Sequence, residues 1–226
     1  MDIATMKTMA GEAAAEHVES GMVVGLGHGS TAIWAHRAIA RKLKRGALEN
    51  VRGVACSKTV EQQARELGIP LVQLNEVDGL DLTIDGADEV DPDLDLIKGG
   101  GGALVREKIV AQATEREIIV VDEGKLSDVL GTRFSLPVEV LAFARRSEEC
   151  YLRSLGAAVS TRSNADGTPF VSDQDNPILD CDFGPIKDVA ELSALLDARA
   201  GIVGHGLFLN LVDEVIVGTH DGIKRI

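Results

Sequence analysis

The sequence predicts an α/β protein, a mostly parallel sheet with helices on both faces and a smaller α+β module inserted into it. Three observations carry that prediction. Short apolar strands alternate with helical stretches up to about residue 130. The rhythm then changes to strand, helix, strand, strand, helix, strand. Finally, DEVIVGT near the end reads as one more strand of the first kind.

The elements can be justified in order. Met6, Ala10, Ala13, Ala14 and His17 share a helical stripe, MVVGL from Met22 is a strand, and 32–43 is a helix. Strands are expected near 51–55, 70–74, 80–84 and 117–121, with a helix over 59–67 between the first two. This alternation implies a Rossmann-like, mostly parallel sheet. From Leu136 on, PVEVL is a strand, RSEECYLRSLG a helix and AAVSTR a strand. PFVSDQDNPILDCDF is then a strand with a polar turn, DVAELSALLDARA a helix and IVGHGLF a strand. That order is the split βαβ of ferredoxin-like modules. The expected domains are 1–130 with 207–226, and 131–206 as the insert. Apart from the turn-rich SNADGTP, there are no repeats, low-complexity tracts or flexible linkers.

Composition bounds the function without identifying it. The chain has 226 residues, enough to bury a sizeable core. A formal net charge of −13 and a pI near 4.8 argue against nucleic acid or anionic membranes as partners. An acidic protein that binds a phosphate must then concentrate positive charge locally. Cys56, Cys150 and Cys181 are widely spaced without a CxxC pair, which suits a reducing compartment; all three are expected to be core thiols. MDIATMKTMAGEAAAEH lacks a basic region followed by an apolar one, and no apolar run approaches about 18 residues, so a cytoplasmic location is expected.

The chemistry concentrates between Thr83 and Ala111, TIDGADEVDPDLDLIKGGGGALVREKIVA. Leu80, Leu82 and Ile84 alternate with Asp81, Thr83 and Asp85, so a strand should end at Asp85 and deliver Asp85 and Asp88 to the loop at its carboxyl end. Open α/β sheets bind small ligands there. The glycines from Gly99 to Gly102 neither propagate a helix nor fill a core, but they permit close backbone approach to a ligand and positive φ. A helix then starts at Ala103. Within it Glu107 is spaced to share the inward stripe with Ala103, Leu104, Val110 and Ala111. A carboxylate on that stripe is either a structural ion pair with Arg106, Lys108 or Lys98, or a working group, and the neighbouring glycines and Asp85 favour the second.

A second element, GLGHGST, follows the strand MVV. Strand, glycine loop and a helix start at Ser30 and Thr31 make an anion cradle, because free N–H groups and the helix dipole both favour a phosphate. A P-loop would need lysine where Gly29 stands, and a dinucleotide fold would want an acid where Cys56 and Ser57 stand. Asp91, Asp93 and Asp95 mimic the start of a calcium loop, yet Leu96 replaces its glycine and Gly102 its bidentate glutamate. His17, His28, His36, His205 and His220 lack ligand spacing. His17 and His36 read as ordinary helix residues, His205 as a rim residue where the insert rejoins, and Trp34 as a packed or interface aromatic. Neither a metal nor a cofactor is expected.

These motifs resemble ribose 5-phosphate isomerase type A. DGADEVD followed by IKGGGGALVREKIVA carries the likeness. GLGHGSTA, LNEVDGLDLTIDGAD, VDEGKLSDVLG, LPVEV, HGLFLN and VIVGTHDGIK extend it in family order through nearly the whole chain. The resemblance implies interconversion of D-ribose 5-phosphate and D-ribulose 5-phosphate through a cis-enediolate, in the non-oxidative pentose phosphate pathway. It implies Glu107 as the base, Lys98 as the cation facing the enediolate oxygen, and Asp85 in ring opening and proton exchange between hydroxyls. Asp88 would hold hydroxyls or Lys98, while Lys7, Ser30, Thr31 and Lys125 would grip the phosphate and neighbouring oxygens. His28, Gly29, Gly86, Ala87, Gly99, Gly100 and Gly101 complete the expected substrate contacts, and a homodimer or homotetramer is expected. His28 departs from the small hydroxyl residue usual at its position. A non-catalytic sugar-phosphate sensor would lose the acid and lysine that Glu107 and Lys98 supply here. A CoA transferase of similar topology would use a glutamate as a covalent nucleophile, and an isomerase of another sugar phosphate would share every motif.

Overall fold

The computed structural model describes residues 1–226, which fall into two units. Unit 1 comprises Met1–Ala87, Arg106–Leu126 and Leu211–Ile226; unit 2 comprises Asp88–Val105 and Ser127–Asn210. The boundaries expected from sequence differ from these chiefly at 88–105, which groups with the second unit.

In chain order the first elements are α1 (Ile3–Ala14), β1 (Val23–Leu26), α2 (Ala32–Lys44), β2 (Arg52–Ala55), α3 (Lys58–Leu67), β3 (Leu82–Asp85), β4 (Glu89–Val90) and β5 (Leu96–Ile97). They are followed by α4 (Leu104–Gln112), β6 (Glu117–Asp122), β7 (Leu136–Val140), α5 (Arg145–Ser154), β8 (Ala158–Thr161) and β9 (Ile178–Asp182). The last are α6 (Val189–Asp197), β10 (Ile202–His205), β11 (Leu207–Phe208), β12 (Glu214–Thr219) and β13 (Gly222–Arg225).

Unit 1 is built on a six-stranded sheet in the order β13-β12-β6-β3-β1-β2, parallel except where β13 folds back on β12 as an antiparallel hairpin. Strands covered on both faces read as continuous apolar runs, and β1 and β6 are buried at every position. The connection from β1 through α2 to β2 steps one way along the sheet, and that from β2 through α3 to β3 steps the other. Since such crossovers are right-handed, α2 and α3 cover opposite faces. Helix α2 offers the sheet Ala32, Ala35, His36 and Ile39, the spacing of one helical stripe. Helix α3 starts where the Ser57 side chain accepts the Val60 N–H at 3.0 Å and ends on Gly68 at φ 75°.

The strand expected at 70–74 reduces to a single bridge between Leu71 and Gly53. Pro70 has no N–H to extend a ladder, and Gln73 caps the 3-10 turn Leu74–Glu76 that follows. The hairpin strand β13 lies beyond the motifs that were read as strands, because GIKR carries too few apolar residues to signal one.

Unit 2 contains an antiparallel sheet in the order β10-β7-β9-β8. Counted within the module, that is 4-1-3-2, the ferredoxin-like order predicted. Its core includes Leu136, Val138, Leu152, Leu179, Cys181 and Leu196. Two expectations need correction. IVGHGLF is two short strands in different sheets: β10 joins the four-stranded sheet, while β11 pairs with β5 in a three-stranded sheet completed by β4. Cys150 is exposed rather than a core thiol, because α5 turns Glu148 and Leu152 inward and Cys150 lies between them on the other face. No helix is long and apolar enough to cross a membrane.

Candidate active site

Within unit 1 the strand order 2-1-3 places a topological switch between β1 and β3, where the chain leaves in opposite directions and opens a crevice beyond the carboxyl ends. The loop after β1 and the end of β3 meet there. Asp85 is 1% exposed, and its Oδ1 accepts N–H bonds from His28 at 2.8 Å and Gly86 at 2.7 Å. Gly27 is needed for that approach, because a Cβ on it would lie 2.3 Å from the Asp85 Cα. Two fixed N–H donors orient the carboxylate.

Glu107 enters from α4 and is buried as the stripe predicts. It sits in the first turn, where the helix dipole favours negative charge. Its carboxylate, that of Asp85 and the Cys56 thiol at the end of β2 each bring one ligand-type atom within 4.8 Å of the others. The His28 ring lies with Nδ1 3.0 Å from Ser57 Oγ, so the nitrogen it can offer a substrate is Nε2. Behind this loop His36 is buried without a hydrogen-bond partner for either ring nitrogen, and burial, helped by the nearby His28, pushes its pKa down to about 4. It is a helix residue, as expected, but an unsatisfied one.

The loop continues into α2 through Gly29, Ser30 and Thr31. The first N–H groups of a helix lack intrahelical acceptors, which is what an anion needs. Lys7, on α1, donates to Ser30 Oγ at 2.9 Å and lies 3.8 Å from Asp122 Oδ2 at the end of β6. Lys125 follows in a 3-10 turn whose cap is Asp122. Lys7 on α1 therefore bridges the loop after β1 and the end of β6, and Lys125 follows shortly after that end.

Within unit 2, Asp88 donates its N–H to Ile97 O at 2.9 Å and accepts the Gly100 N–H at 2.8 Å. Lys98 is 2% exposed, with its ammonium 5.5 Å from the centre of the Phe208 ring. Gly99 and Gly102 take φ of 109° and 80°, so the glycine run does adopt conformations other residues avoid. Arg162, which no motif flagged, holds this run: it donates to Gly99 O at 2.7 Å and Gly100 O at 3.2 Å while pairing with Asp180. A lone arginine distant in sequence from the glycines gives no sequence signal of that role. The position of Cys56 was legible only as the end of a strand flanking the switch.

Other expectations resolve structurally. The Asp91 carboxylate caps its own turn, accepting N–H bonds from Asp93 at 3.0 Å and Asp95 at 2.9 Å. His205 is not a rim residue but a buried one: Nδ1 accepts from the Leu207 N–H at 3.3 Å and Nε2 lies 3.0 Å from Asp197. Trp34 is half-buried, with the Arg37 guanidinium 4.6 Å from its ring centre.

A family model for ribose 5-phosphate isomerase A (phosphoriboisomerase A) matches residues 52–222. The chain is 57% identical to ribose-5-phosphate isomerase A of Desulfatibacillum aliphaticivorans over 221 residues, covering 98% of this chain and 96% of that one. It is 55% identical to the protein of that name from Chloroflexus aurantiacus over 222 residues, covering 98% and 93%. The ribose 5-phosphate isomerase structure from Plasmodium falciparum superposes with a TM-score of 0.95 at 37% identity, covering 99% of this chain and 98% of that one. A D-ribose-5-phosphate isomerase structure in complex with phospho-erythronic acid gives 0.98 at 37% identity, covering 100% and 99%.

Proposed function

Since the chain belongs to the ribose 5-phosphate isomerase A family, we propose that it interconverts D-ribose 5-phosphate and D-ribulose 5-phosphate with Glu107 as the base. The observation that carries this reading is the pair of buried carboxylates, Asp85 and Glu107, beside the glycine loop of a topological switch point. Moving a proton between C1 and C2 requires one base that reaches both carbons, together with a group that handles the hydroxyl protons. Glu107 removes the C2 proton of the open-chain aldose and returns it to C1, passing through a cis-enediolate. Asp85, oriented by its two N–H donors, assists ring opening and moves the proton between O1 and O2.

Lys98 supplies the cation that stabilises the enediolate oxygen, a role that needs a preorganised charge. Asp88 and the N–H groups of the glycine run bind hydroxyls, and the loop from His28 to Thr31 with Lys7 and Lys125 binds the phosphate. In the cell this activity belongs to the non-oxidative pentose phosphate pathway, and a homodimer or homotetramer completes the reading. The test is a coupled assay of ribose 5-phosphate against other pentose and hexose phosphates, run on the wild type and Glu107→Gln. Ribose 5-phosphate is expected to be preferred. The substitution is expected to lower kcat by about 10²-fold or more with the fold intact. Turnover within about threefold of wild type would remove Glu107 as the base.

A further inference from the structure

The thiol beside the two carboxylates has no part in that proton chemistry, and it gives the site a second capacity. Cys56 is fully buried at the end of β2, and its sulfur and one oxygen each from Asp85 and Glu107 lie within 4.8 Å of one another. We propose that Cys56, Asp85 and Glu107 form an inhibitory site for a thiophilic divalent cation such as Zn²⁺ or Cd²⁺. The proposal rests on the proposed function only for the word inhibitory; the binding itself depends on the donor set.

That donor set is specific. Tetrahedral zinc with one thiolate and two carboxylates places its ligand atoms about 3.4–3.6 Å apart, so movements of about 1 Å close the cluster on an ion. Three protein ligands leave a fourth position for water or a substrate oxygen. Asp85 is already oriented by the His28 and Gly86 N–H groups, the kind of outer support that ligating carboxylates need. Binding displaces the thiol proton to solvent, and the resulting thiolate with two carboxylates faces a dication. Sulfur selects against Mg²⁺, which prefers oxygen and keeps its waters. An ion held here occupies the carboxylate of Glu107, so proton transfer stops.

The test uses the full chain carrying Cys150→Ser, which removes the exposed thiol. Cys181 stays protonated, because burial and the charge of Asp180 push its thiol up to about 12. Titration with Cd²⁺, followed by the thiolate-to-metal ultraviolet band, is expected to saturate at one ion per chain and to be absent with Mg²⁺. Adding Cys56→Ser is expected to abolish the band. Loss of even an outer-shell partner costs about 10–100-fold in metal affinity, so Glu107→Ala, measured in case the serine variant fails to fold, should weaken binding at least about a hundredfold. Zn²⁺ is expected to block turnover reversibly in the Cys150→Ser protein, while the protein also carrying Cys56→Ser keeps its own metal-free rate. A band that survives Cys56→Ser, or equal Zn²⁺ inhibition with and without Cys56, overturns the proposal. One Cd²⁺ bound through Cys56 by a protein that isomerises no ribose 5-phosphate would leave the metal site standing and remove the proposed function.

Discussion

Units 1 and 2 each bury a histidine, and the two are held in different ways. In unit 1, His36 on α2 has no partner for either ring nitrogen. In unit 2, His205 is as deeply buried but both of its nitrogens are matched, by the Leu207 N–H and by Asp197. Glu89 of unit 2 shows the same economy: its two oxygens accept N–H bonds from Gly131, Arg133 and Phe134 at 3.0–3.2 Å. An unsatisfied buried polar group costs about 1–3 kcal/mol. Unit 1 has a broad apolar core, with Val24, Leu26, Ile39, Ile84 and Ile118 all wholly buried. In unit 2 Glu89 and His205 fix loops, while Ser127 Oγ is buried without a partner.

Acid should break the comparison first, and most strongly. His36 titrates near 6.5 when unfolded and near 4 when folded, so between those values the unfolded chain binds more protons. Stability due to this group is therefore complete above about pH 6.5, falls as the pH drops, and is fully lost below about pH 4. A shift of about 2.5 units corresponds to about 3 kcal/mol. Denaturant unfolding of wild type and His36→Leu at both pH values gives the difference, which cancels the carboxylates titrating in the same range. His205→Leu should instead lose stability at either pH, because it leaves the buried Leu207 N–H without its acceptor, while the exposed Asp197 carboxylate stays solvated. Parallel pH dependence of wild type and His36→Leu would show that the imidazole is satisfied in solution.

Alanine in the two glycine segments sharpens the contrast by a smaller amount. At Gly27 the new Cβ meets the Asp85 backbone at 2.3 Å, and backbone in the middle of a parallel sheet has nowhere to go. Overpacking of that kind costs about 2–3 kcal/mol. At Gly100 the new Cβ meets the Asp88 carboxylate at 2.9 Å and the tip of Phe134 at 3.1 Å, both able to rotate away. Gly100→Ala should therefore cost under about 1 kcal/mol in stability. Its effect should appear in KM, through displacement of Asp88. Equal thermal destabilisation by the two substitutions would show that the segments are equally rigid.

How much of this was legible follows from how each feature is encoded. The parallel sheet, the inserted ferredoxin-like order, the end of β3 at Asp85 and the burial of Glu107 are local periodicities, which a sequence displays directly. The loss of the strand at 70–74 turned on one missing N–H at Pro70, and β4, β5 and β13 are too short or too polar for a periodic signal. The unsatisfied nitrogens of His36 could not be read either. Its spacing placed it on the buried stripe correctly, but whether a buried imidazole finds a partner depends on neighbours from other elements. Cys56 was legible as a core thiol and as the absence of a dinucleotide acid, but not as a neighbour of Asp85 and Glu107, which come from β3 and α4. Long-range pairing is the part that the chain order conceals.

Arg162 is the clearest case of such pairing, and removing its fork should give the smallest effect on stability of the series. Its guanidinium is bound to Asp180 and donates to the carbonyls of Gly99 and Gly100, so it sets the orientation of peptide groups in the glycine run. Those peptides also direct the Gly100 N–H to Asp88. Lysine in its place keeps the charge beside Asp180 but cannot supply a planar fork and two carbonyl bonds together. Arg162→Lys should therefore lower kcat/KM for ribose 5-phosphate by about tenfold, or about 1.4 kcal/mol, while the unfolding midpoint changes little. A merely structural arginine would give the reverse, a lower midpoint with unchanged kinetics in the folded fraction. Arg162→Met with Asp180→Leu removes both charges at once and separates the cost of a stranded carboxylate from the loss of the two carbonyl bonds. If that double variant restores stability and kcat/KM stays low, the hold on Gly99 and Gly100 is what the reaction uses; if kcat/KM returns to the wild-type value, the glycine run keeps its shape without Arg162.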